Sequence, residues 1–248
     1  MAAIHTLDDG AYKRLEREIQ QVTRGKDTLE AAAKAYSTFM YGELKDSIVL
    51  TRLFATVPFE QLPPKRAEFV TNLAASNGVA DKLDKDTLVL SLLGTCGQEP
   101  EWAQPSTSKG HLGIPLASSS FIEAIPMMSR LLHQLGAGVD WIDRKDTSIV
   151  ARALGMLGGV FYVQDASTEL DAQGRKIIAG QQFVEAYHVK SVFGFGGGYS
   201  GTQIFIVGIS FLRDSIDKAT AERFLSHVNR IKASTMDVVS SGALFDPS

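Results

Sequence analysis

The sequence has little of several features that mark particular classes of protein. Cys96 is its only cysteine, which excludes an internal disulfide and a thiolate-rich metal site. The formal net charge of −3 provides no basic surface for a polyanion, so we expect no nucleic-acid partner. No apolar run is as long as a membrane span, and the N-terminus lacks the apolar centre of a signal peptide. We therefore predict a soluble, cytoplasmic protein that does not associate with a membrane.

The residue spacings that are typical of phosphate-binding loops and of metal sites are also absent. The glycines of FGFGGGYSG, at residues 193–201, are followed by a β-rich run, whereas a dinucleotide-binding loop leads into a helix. No G-K-S or G-K-T sequence exists for a P-loop. None of the histidines is paired at metal-ligand spacing; they are His5, His111, His133, His188 and His227. His133 lies on an otherwise apolar helix and could bind a haem iron. A core or boundary position for this histidine is favoured over haem binding, so the cofactor stays unknown.

A glycine cluster between two β-rich runs is the strongest structural signal in the sequence. Residues 189–195 and 203–211 are rich in Val, Ile and Phe, and the glycines between them are Gly196, Gly197, Gly198 and Gly201. Glycine adopts the positive φ angles that a chain reversal needs. The pattern predicts a β-hairpin, and its two apolar arms indicate strands near the middle of a sheet.

The remaining segments surround this hairpin with helices and strands. Helices are predicted over residues 11–23, 29–44, 65–77, 120–135, 177–187 and 216–238, strands over 47–57, 87–95 and 159–163, and a short extended segment over 111–116. Residues 146–155 have helical spacing, but their type is ambiguous. The order predicts an α+β fold with an antiparallel or mixed sheet. The narrow apolar stripes of the first two helices predict packing against either a partner chain or the protein's own sheet.

Few residues of the sequence are candidates for a catalytic role. Cys96, at a strand end, is a candidate nucleophile with His111 as its base, but a lone cysteine there is usually a small core residue. The carboxylates form no acid–base pair on an identifiable strand end. Arg52 interrupts an apolar strand, and we predict that its side chain faces solvent rather than binding an anion. These residues give little support to the hypothesis that the protein is an enzyme.

Part of the sequence resembles a segment of bacterial sensor proteins. The similarity lies in FYVQD at residues 161–165, in residues 183–187, 189–197 and 204–211, and more weakly in GHLGIPL at 110–116 and IPMMSRLL at 125–132. In those proteins, this GAF-like region lies upstream of PAS and histidine-kinase modules. The resemblance extends over half of the chain and does not include the N-terminal helices.

The resemblance implies a GAF-like α+β fold, with a central antiparallel sheet of about six strands and long N- and C-terminal helices. Residues 1–46 are then an N-terminal helical segment suited to dimerisation, residues 47–239 the GAF-like domain with its closing helix, and residues 240–248 a frayed tail. A ligand would bind between the sheet and the polar loop of residues 98–111. The candidate lining residues are Trp102, His111, Phe193 and Tyr199.

Three functional interpretations follow. The favoured one is a sensory or regulatory domain that binds a small molecule or relays a signal as a homodimer. Because no kinase, cyclase or DNA-binding module follows in the sequence, its output would pass to a separate kinase or regulatory partner. The alternatives are a small enzyme that uses Cys96 or His111, and a ligand-free protein-interaction module.

Overall fold

The computed structural model describes residues 3–107, 110, 112–136, 138–144, 150, 154–155 and 158–247. His111 and most of residues 146–155, the segment of ambiguous type, lie outside this set. Six strands form one antiparallel sheet in the order β3-β2-β1-β6-β5-β4. They are β1 (Ile48–Pro58), β2 (Leu88–Gly97), β3 (Gly113–Pro115), β4 (Gly158–Val163), β5 (Ser191–Gly198) and β6 (Phe205–Leu212). The predicted α+β class and the predicted antiparallel sheet of about six strands are confirmed.

Strands β5 and β6 form the predicted hairpin, but most of its glycines do not lie in the turn. Gly196, Gly197 and Gly198 are paired within β5, and only Gly201, with φ of 77°, lies in the reversal. A Cβ atom on Gly198 would lie 1.9 Å from the carbonyl oxygen of Leu154, and one on Gly197 would lie 2.8 Å from Val228. These glycines are therefore required for close packing on the strand, which corrects the prediction that they form the turn.

The helices divide unevenly between the two faces of the sheet. They are α1 (Asp9–Thr23), α2 (Leu29–Leu44), α3 (Pro64–Ser76), α4 (Ser119–Glu123), α5 (Pro126–Gln134), α6 (Gln181–Ala186), α7 (Lys218–Glu222) and α8 (Ser226–Ser240). Helices α1, α2 and α8 cover the face that includes Leu53, Phe193 and Phe195, which we call the helix-covered face. The apolar stripe of α1, with Leu15 and Ile19, is fully buried there.

The opposite face, which includes Leu50, Phe54, Ile209 and Phe211, is covered by shorter elements, and we call it the loop-covered face. The 3-10 helix Pro100–Ala103, α4, α5 and α6 pack along it. The single helix predicted over residues 120–135 is two helices here, and Pro126 occupies the first turn of the second. Proline lacks the N–H that a continuous helix would need, so the break falls just before it.

Two predictions about the C-terminal region are wrong. The closing helix is divided, because a turn at residues 223–225 inserts Phe224 between Tyr12 and Phe193, with ring centroids 5.2 and 4.6 Å apart. The final residues are not frayed either. Leu244 is 3% exposed, and the carbonyl of Ala243 accepts a hydrogen bond from the first residue of α2. This segment satisfies N–H groups that a helix leaves without partners at its start.

Candidate functional site

The candidate site lies on the loop-covered face, where the connection between β2 and β3 crosses the sheet. The N–H of Gln98 donates to the carbonyl of Val49 at 2.9 Å, immediately after β2 ends. At the other end, the N–H of Leu92 donates to the carbonyl of Leu112 at 2.9 Å. The connection is therefore attached to the sheet at both ends, and it brings the 3-10 helix Pro100–Ala103 over the strands.

Trp102 anchors this connection through an aromatic cluster, which consists of Trp102, Phe183, Tyr187 and Phe211. The Trp102 ring lies 4.8 Å from Tyr187 and 5.7 Å from Phe183, and Phe183 lies 5.3 Å from Phe211 on β6. A Cβ atom on Gly97 would lie 2.6 Å from the Trp102 ring, so glycine at the end of β2 allows the indole to pack against the strand. Trp102 is buried, whereas Phe183 and Tyr187 are partly exposed. The cluster joins the connection, α6 and the sheet.

Arg52 brings a positive charge to the same face. Arg52 pairs with Thr95 on β2 and with Ile209 on β6, and directly paired residues project to the same side of a sheet. Its side chain therefore shares the apolar layer that includes Ile209, and burial lowers the pKa of its guanidinium to about 10. Arg52 is partly exposed, so the predicted solvent-facing position is only partly right: Gly110, in the connection between β2 and β3, lies against its guanidinium.

Gly110 shows how closely the connection approaches Arg52. With φ of 121°, Gly110 has a backbone conformation that side chains disfavour, and a Cβ atom there would lie 3.2 Å from Nη1 of Arg52. Glycine thus allows the backbone to lie against the guanidinium. A buried guanidinium requires polar surroundings, since the loss of hydration of an ion in an apolar layer is costly.

Thr95 adds a second polar group beside Arg52. The residue is 1% exposed, and its hydroxyl has no hydrogen-bond partner within the described part of the chain. By contrast, Thr51, on the other side of the same strand pair, has its hydroxyl 2.9 Å from that of Ser210. An unsatisfied buried hydroxyl is uncommon, because such a group loses its hydrogen bonds to water on folding. Arg52 and Thr95 therefore form a polar position within an otherwise apolar face.

The predicted lining residues do not come together. Trp102 is on the loop-covered face, whereas Phe193 and Tyr199 belong to the other layer of the core, and His111 lies outside the described residues. Phe193 packs on Phe224, and the hydroxyl of Tyr199 lies 2.7 Å from that of Thr235. Adjacent strand residues project to opposite faces, so the apolar run around Phe193 did not reveal which side it occupies.

Arg52 and Thr95 were not among the predicted lining residues. A signal for Arg52 existed, since a charged residue interrupts a long apolar strand, which lies at the centre of the sheet. The sequence alone allowed that residue either face. No comparable signal existed for Thr95, because threonine is common in strands.

Cys96, the alternative nucleophile, projects towards α2 and away from Arg52. It pairs with Thr51 on the helix-covered side of β1, and its thiol forms a hydrogen bond with Thr38. Burial raises the pKa of the thiol, which favours the neutral form over the reactive thiolate. Cys96 is thus a partly buried residue at the strand end, with a thiol held in its neutral form.

Two of the described histidines, His133 and His227, offer little for iron or another metal. His133 is exposed on α5, and His227 is fully buried between Tyr36, Phe195 and Phe224. Burial lowers the pKa of His227 to about 3, and neither of its nitrogens has a hydrogen-bond partner within the described residues. In the same part of the chain, no three His, Cys, Asp or Glu side chains converge to hold a metal ion.

Two surface cavities lie away from Arg52. One, of about 630 Å³, runs beside β4 and includes Tyr162, Lys190 and Asp217. The other, of about 590 Å³, opens near the start of β2, with Trp141 and several acidic side chains in its wall. Neither contains a predicted lining residue.

Comparison with known proteins finds similar solved structures but no matching family. No protein-family model matches the sequence, and no curated protein matches it. The structure is similar to the phycoerythrobilin-bound GAF domain of a cyanobacterial phytochrome, with a TM-score of 0.47 and 11% identity over 96% of this chain and 99% of that one. It is also similar to a phycocyanobilin-bound GAF domain of a cyanobacterial phytochrome, with a TM-score of 0.47 and 12% identity over 95% of this chain and 98% of that one. Among the described helices, none is long and apolar enough to span a membrane.

Proposed function

We propose that this chain is a sensory domain of a bacterial signalling system, which binds a small molecule on the loop-covered face of its sheet. The observation that carries the proposal is the polar position of Arg52 and Thr95 within that apolar face. A face that only completes the core has no need of a partly buried cation beside an unsatisfied buried hydroxyl. Binding sites, in contrast, combine apolar walls with a few polar groups that orient the ligand.

The difference between the two faces of the sheet supports this assignment. Long helices with buried apolar stripes cover one face, where Leu15, Ile19 and Tyr36 are fully buried. Short helices and connections cover the other, where Phe183 and Tyr187 of the aromatic cluster are partly exposed. Segments with fewer buried contacts open at lower free-energy cost than core helices do, so a ligand would enter from this side.

The signal would leave through the terminal helices in a cytoplasmic homodimer, which acts on a separate kinase or regulatory protein. Helices α1 and α8 pack together, and the ion pair of Arg230 with Glu16, at 3.0 Å, lies between them. Because Leu15 and Ile19 are buried within the chain, the dimer contact would use the outer faces of these helices, which include the exposed Lys13 and Arg17. Sedimentation of the purified protein across a concentration range tests this part of the proposal.

Small-molecule binding is tested by identifying any compound that stays bound to the protein during purification. The protein is denatured in organic solvent, the released compounds are identified by mass spectrometry, and each is added back to ligand-free protein. We expect at least one compound to raise the Tm in a concentration-dependent way, because a ligand that binds only the folded state stabilises it. If nothing is released and a broad metabolite library leaves the Tm unchanged, the chain is instead a ligand-free interaction module.

The same experiment separates binding from catalysis. An enzyme that depends on Cys96 would consume an added compound, and Cys96→Ala would abolish that reaction without unfolding the protein. A sensory domain would return the compound unchanged, and Cys96→Ala would leave its stabilising effect intact. The partly buried position of Cys96 beside Thr38, where burial raises the pKa of its thiol, favours the second outcome.

A further inference from the structure

We propose that residues 243–246 form a releasable latch, which fixes the C-terminal end of α8 to the first turn of α2 and frees that end when it opens. The latch begins after Gly242, whose φ of 75° ends α8 and directs the chain towards α2. This role rests on the proposed function, in which α8 carries the signal out of the domain. The latch is measured without any ligand, so the latch and the small-molecule site can fail independently.

The backbone of the latch supplies the hydrogen bonds that the first turn of α2 lacks. The N–H of Leu29 donates to the carbonyl of Ala243 at 3.0 Å. The N–H of Glu30 donates to the carbonyl of Leu244 at 2.9 Å. In return, the N–H of Asp246 donates to the Glu30 carboxylate at 3.0 Å. The first N–H groups of an α-helix have no partner within the helix, so opening of the latch leaves those of Leu29 and Glu30 free to exchange with water.

The Asp246 side chain holds the latch by charge. Its carboxylate accepts a hydrogen bond from Nζ of Lys34 at 2.8 Å and another from the hydroxyl of Thr28, the N-cap residue of α2. Burial opposes ionisation of this carboxylate, but the bonds from Lys34 and Thr28 outweigh burial and lower its pKa. Asp246 is therefore charged at neutral pH and paired with a cation of α2.

The surface beneath the latch is fixed to the sheet. The ring of Phe245 lies 5.0 Å from the Arg66 guanidinium, within the range of a cation–π contact. Arg66 lies 2.6 Å from the Glu30 carboxylate. The same guanidinium donates to the hydroxyl of Ser91 at 3.0 Å and to the carbonyl of Leu92, both on β2. The closed position of the latch is thus defined by a group that is itself held by a strand.

The latch nevertheless has the features of a segment that opens locally. Leu244 is the one buried side chain among the described residues 243–247, and the side chains of Lys34 and Asp246 are 38% and 37% exposed. Ion pairs with this exposure contribute little to stability. In contrast, α8 buries Val228 and Ile231 against the core. Segments with few buried contacts open at a lower free energy than the core does, so the latch can open while α8 stays folded.

Amide hydrogen exchange of the intact protein, followed residue by residue by NMR, tests the latch. We expect protection factors for Leu29 and Glu30 at least about tenfold below that of Leu53 in β1, because local opening precedes global unfolding. Asp246→Asn keeps the shape of the side chain and removes its charge. It should lower the protection of Leu29 and Glu30 by about fivefold and leave Leu53 unchanged. Asp237→Asn, which removes an exposed carboxylate from α8, is the control and should change none of them.

Deletion of residues 243–248 tests the effect of the latch on α8. We expect the shortened chain to keep its fold and to lose about tenfold in protection at Val239, in the last turn of α8, with no change at Val228 near its start. A latch that acts only on overall stability would instead lower the protection of both amides equally. If the shortened chain does not unfold cooperatively, the decision passes to Asp246→Asn.

Three results would overturn the latch. Leu29 and Glu30 could be as protected as Leu53 in the wild type, so that the segment opens only with the whole protein. Asp246→Asn could leave the protection of Leu29 and Glu30 unchanged or lower that of Leu53 equally. The deletion could leave Val239 at its wild-type protection, so that the segment does not restrain α8. None of these results bears on small-molecule binding, which the released-compound experiment decides separately.

Discussion

Arg52 on β1 and Thr95 on β2 are direct cross-strand partners, and they share the loop-covered face of the sheet. Arg52 brings a partly buried positive charge, and Thr95 brings a buried hydroxyl without a partner among the described residues. Two such polar groups side by side on an otherwise apolar face support the proposal that this face binds a ligand.

The Thr95 hydroxyl gives the first stability prediction. Thr95→Val replaces an unsatisfied hydroxyl with a methyl group of similar size, so we expect the free energy of unfolding to rise by about 1 kcal/mol. Thr51→Val is the matched control, because it removes a hydroxyl that bonds Ser210 at 2.9 Å, and it should lower the free energy of unfolding by about 1 kcal/mol. Urea unfolding of the two variants measures both. A loss of stability in Thr95→Val would show that its hydroxyl is satisfied in solution.

A buried ion pair links α2 and α3, and its removal should be strongly destabilising. Arg66 lies 2.6 Å from Glu30, and both are less than a tenth exposed. Arg66→Met leaves the Glu30 carboxylate buried without its guanidinium, so we expect a loss of about 3 kcal/mol by chemical denaturation. The exposed Arg17→Met should change the stability by no more than about 0.5 kcal/mol. A loss of less than about 1 kcal/mol for Arg66→Met would mean that the pair behaves like one on the surface.

The buried His227 predicts a pH dependence of stability. Burial lowers its pKa from 6.5 to about 3 in the folded protein, and the nearby Glu16 carboxylate only partly offsets this effect. Between these values, the unfolded chain binds a proton that the folded protein does not. The free energy of unfolding therefore falls as the pH falls from about 6.5 to about 3, by up to about 1.4 kcal/mol per unit.

His227→Leu should remove this contribution to the slope and should not reduce stability at neutral pH, because both nitrogens of His227 lack partners among the described residues. His133→Leu, at an exposed position, is the control and should keep the wild-type slope. Thermal unfolding across the pH range gives the comparison. Identical slopes for the wild type and His227→Leu would contradict the buried, neutral state of this histidine.

The glycines of β5 predict an unequal response to alanine. A Cβ atom on Gly198 would lie 1.9 Å from the carbonyl oxygen of Leu154, so Gly198→Ala should lower the free energy of unfolding by about 2 kcal/mol or more. Gly158 lies on the neighbouring strand, where a Cβ atom would have no contact within 4 Å, and Gly158→Ala should be close to neutral. Equal effects in urea unfolding would show that β5 packs less closely than the structure indicates.

The fold was largely predictable because its signals are local. Apolar β-rich runs predict the strands β1, β2, β5 and β6. The division between α4 and α5 just before Pro126 is explained by the N–H that proline lacks. The docking of the final residues was not predictable, because it depends on contacts between Leu244 and a helix at the other end of the chain. Contacts between residues that are far apart in the chain cannot be predicted from the local sequence pattern.

The candidate site was less predictable than the fold. Trp102 was expected near a ligand and lies on the loop-covered face, but Phe193 and Tyr199 project to the opposite layer. A strand that is buried on both sides lacks the alternation of polar and apolar residues that would distinguish its faces. The pairing of Arg52 with Thr95 depends on the register of β1 and β2, which only the folded sheet defines.

The most direct test of small-molecule binding follows the fluorescence of Trp102. The chain has two tryptophans, so Trp141→Phe leaves Trp102 as the only indole, beside the candidate site. We predict that a compound released from the purified protein changes the Trp102 emission with a saturable dependence on concentration. Saturable binding that leaves the Trp102 emission unchanged would contradict the account, because the ligand would then bind away from the loop-covered face.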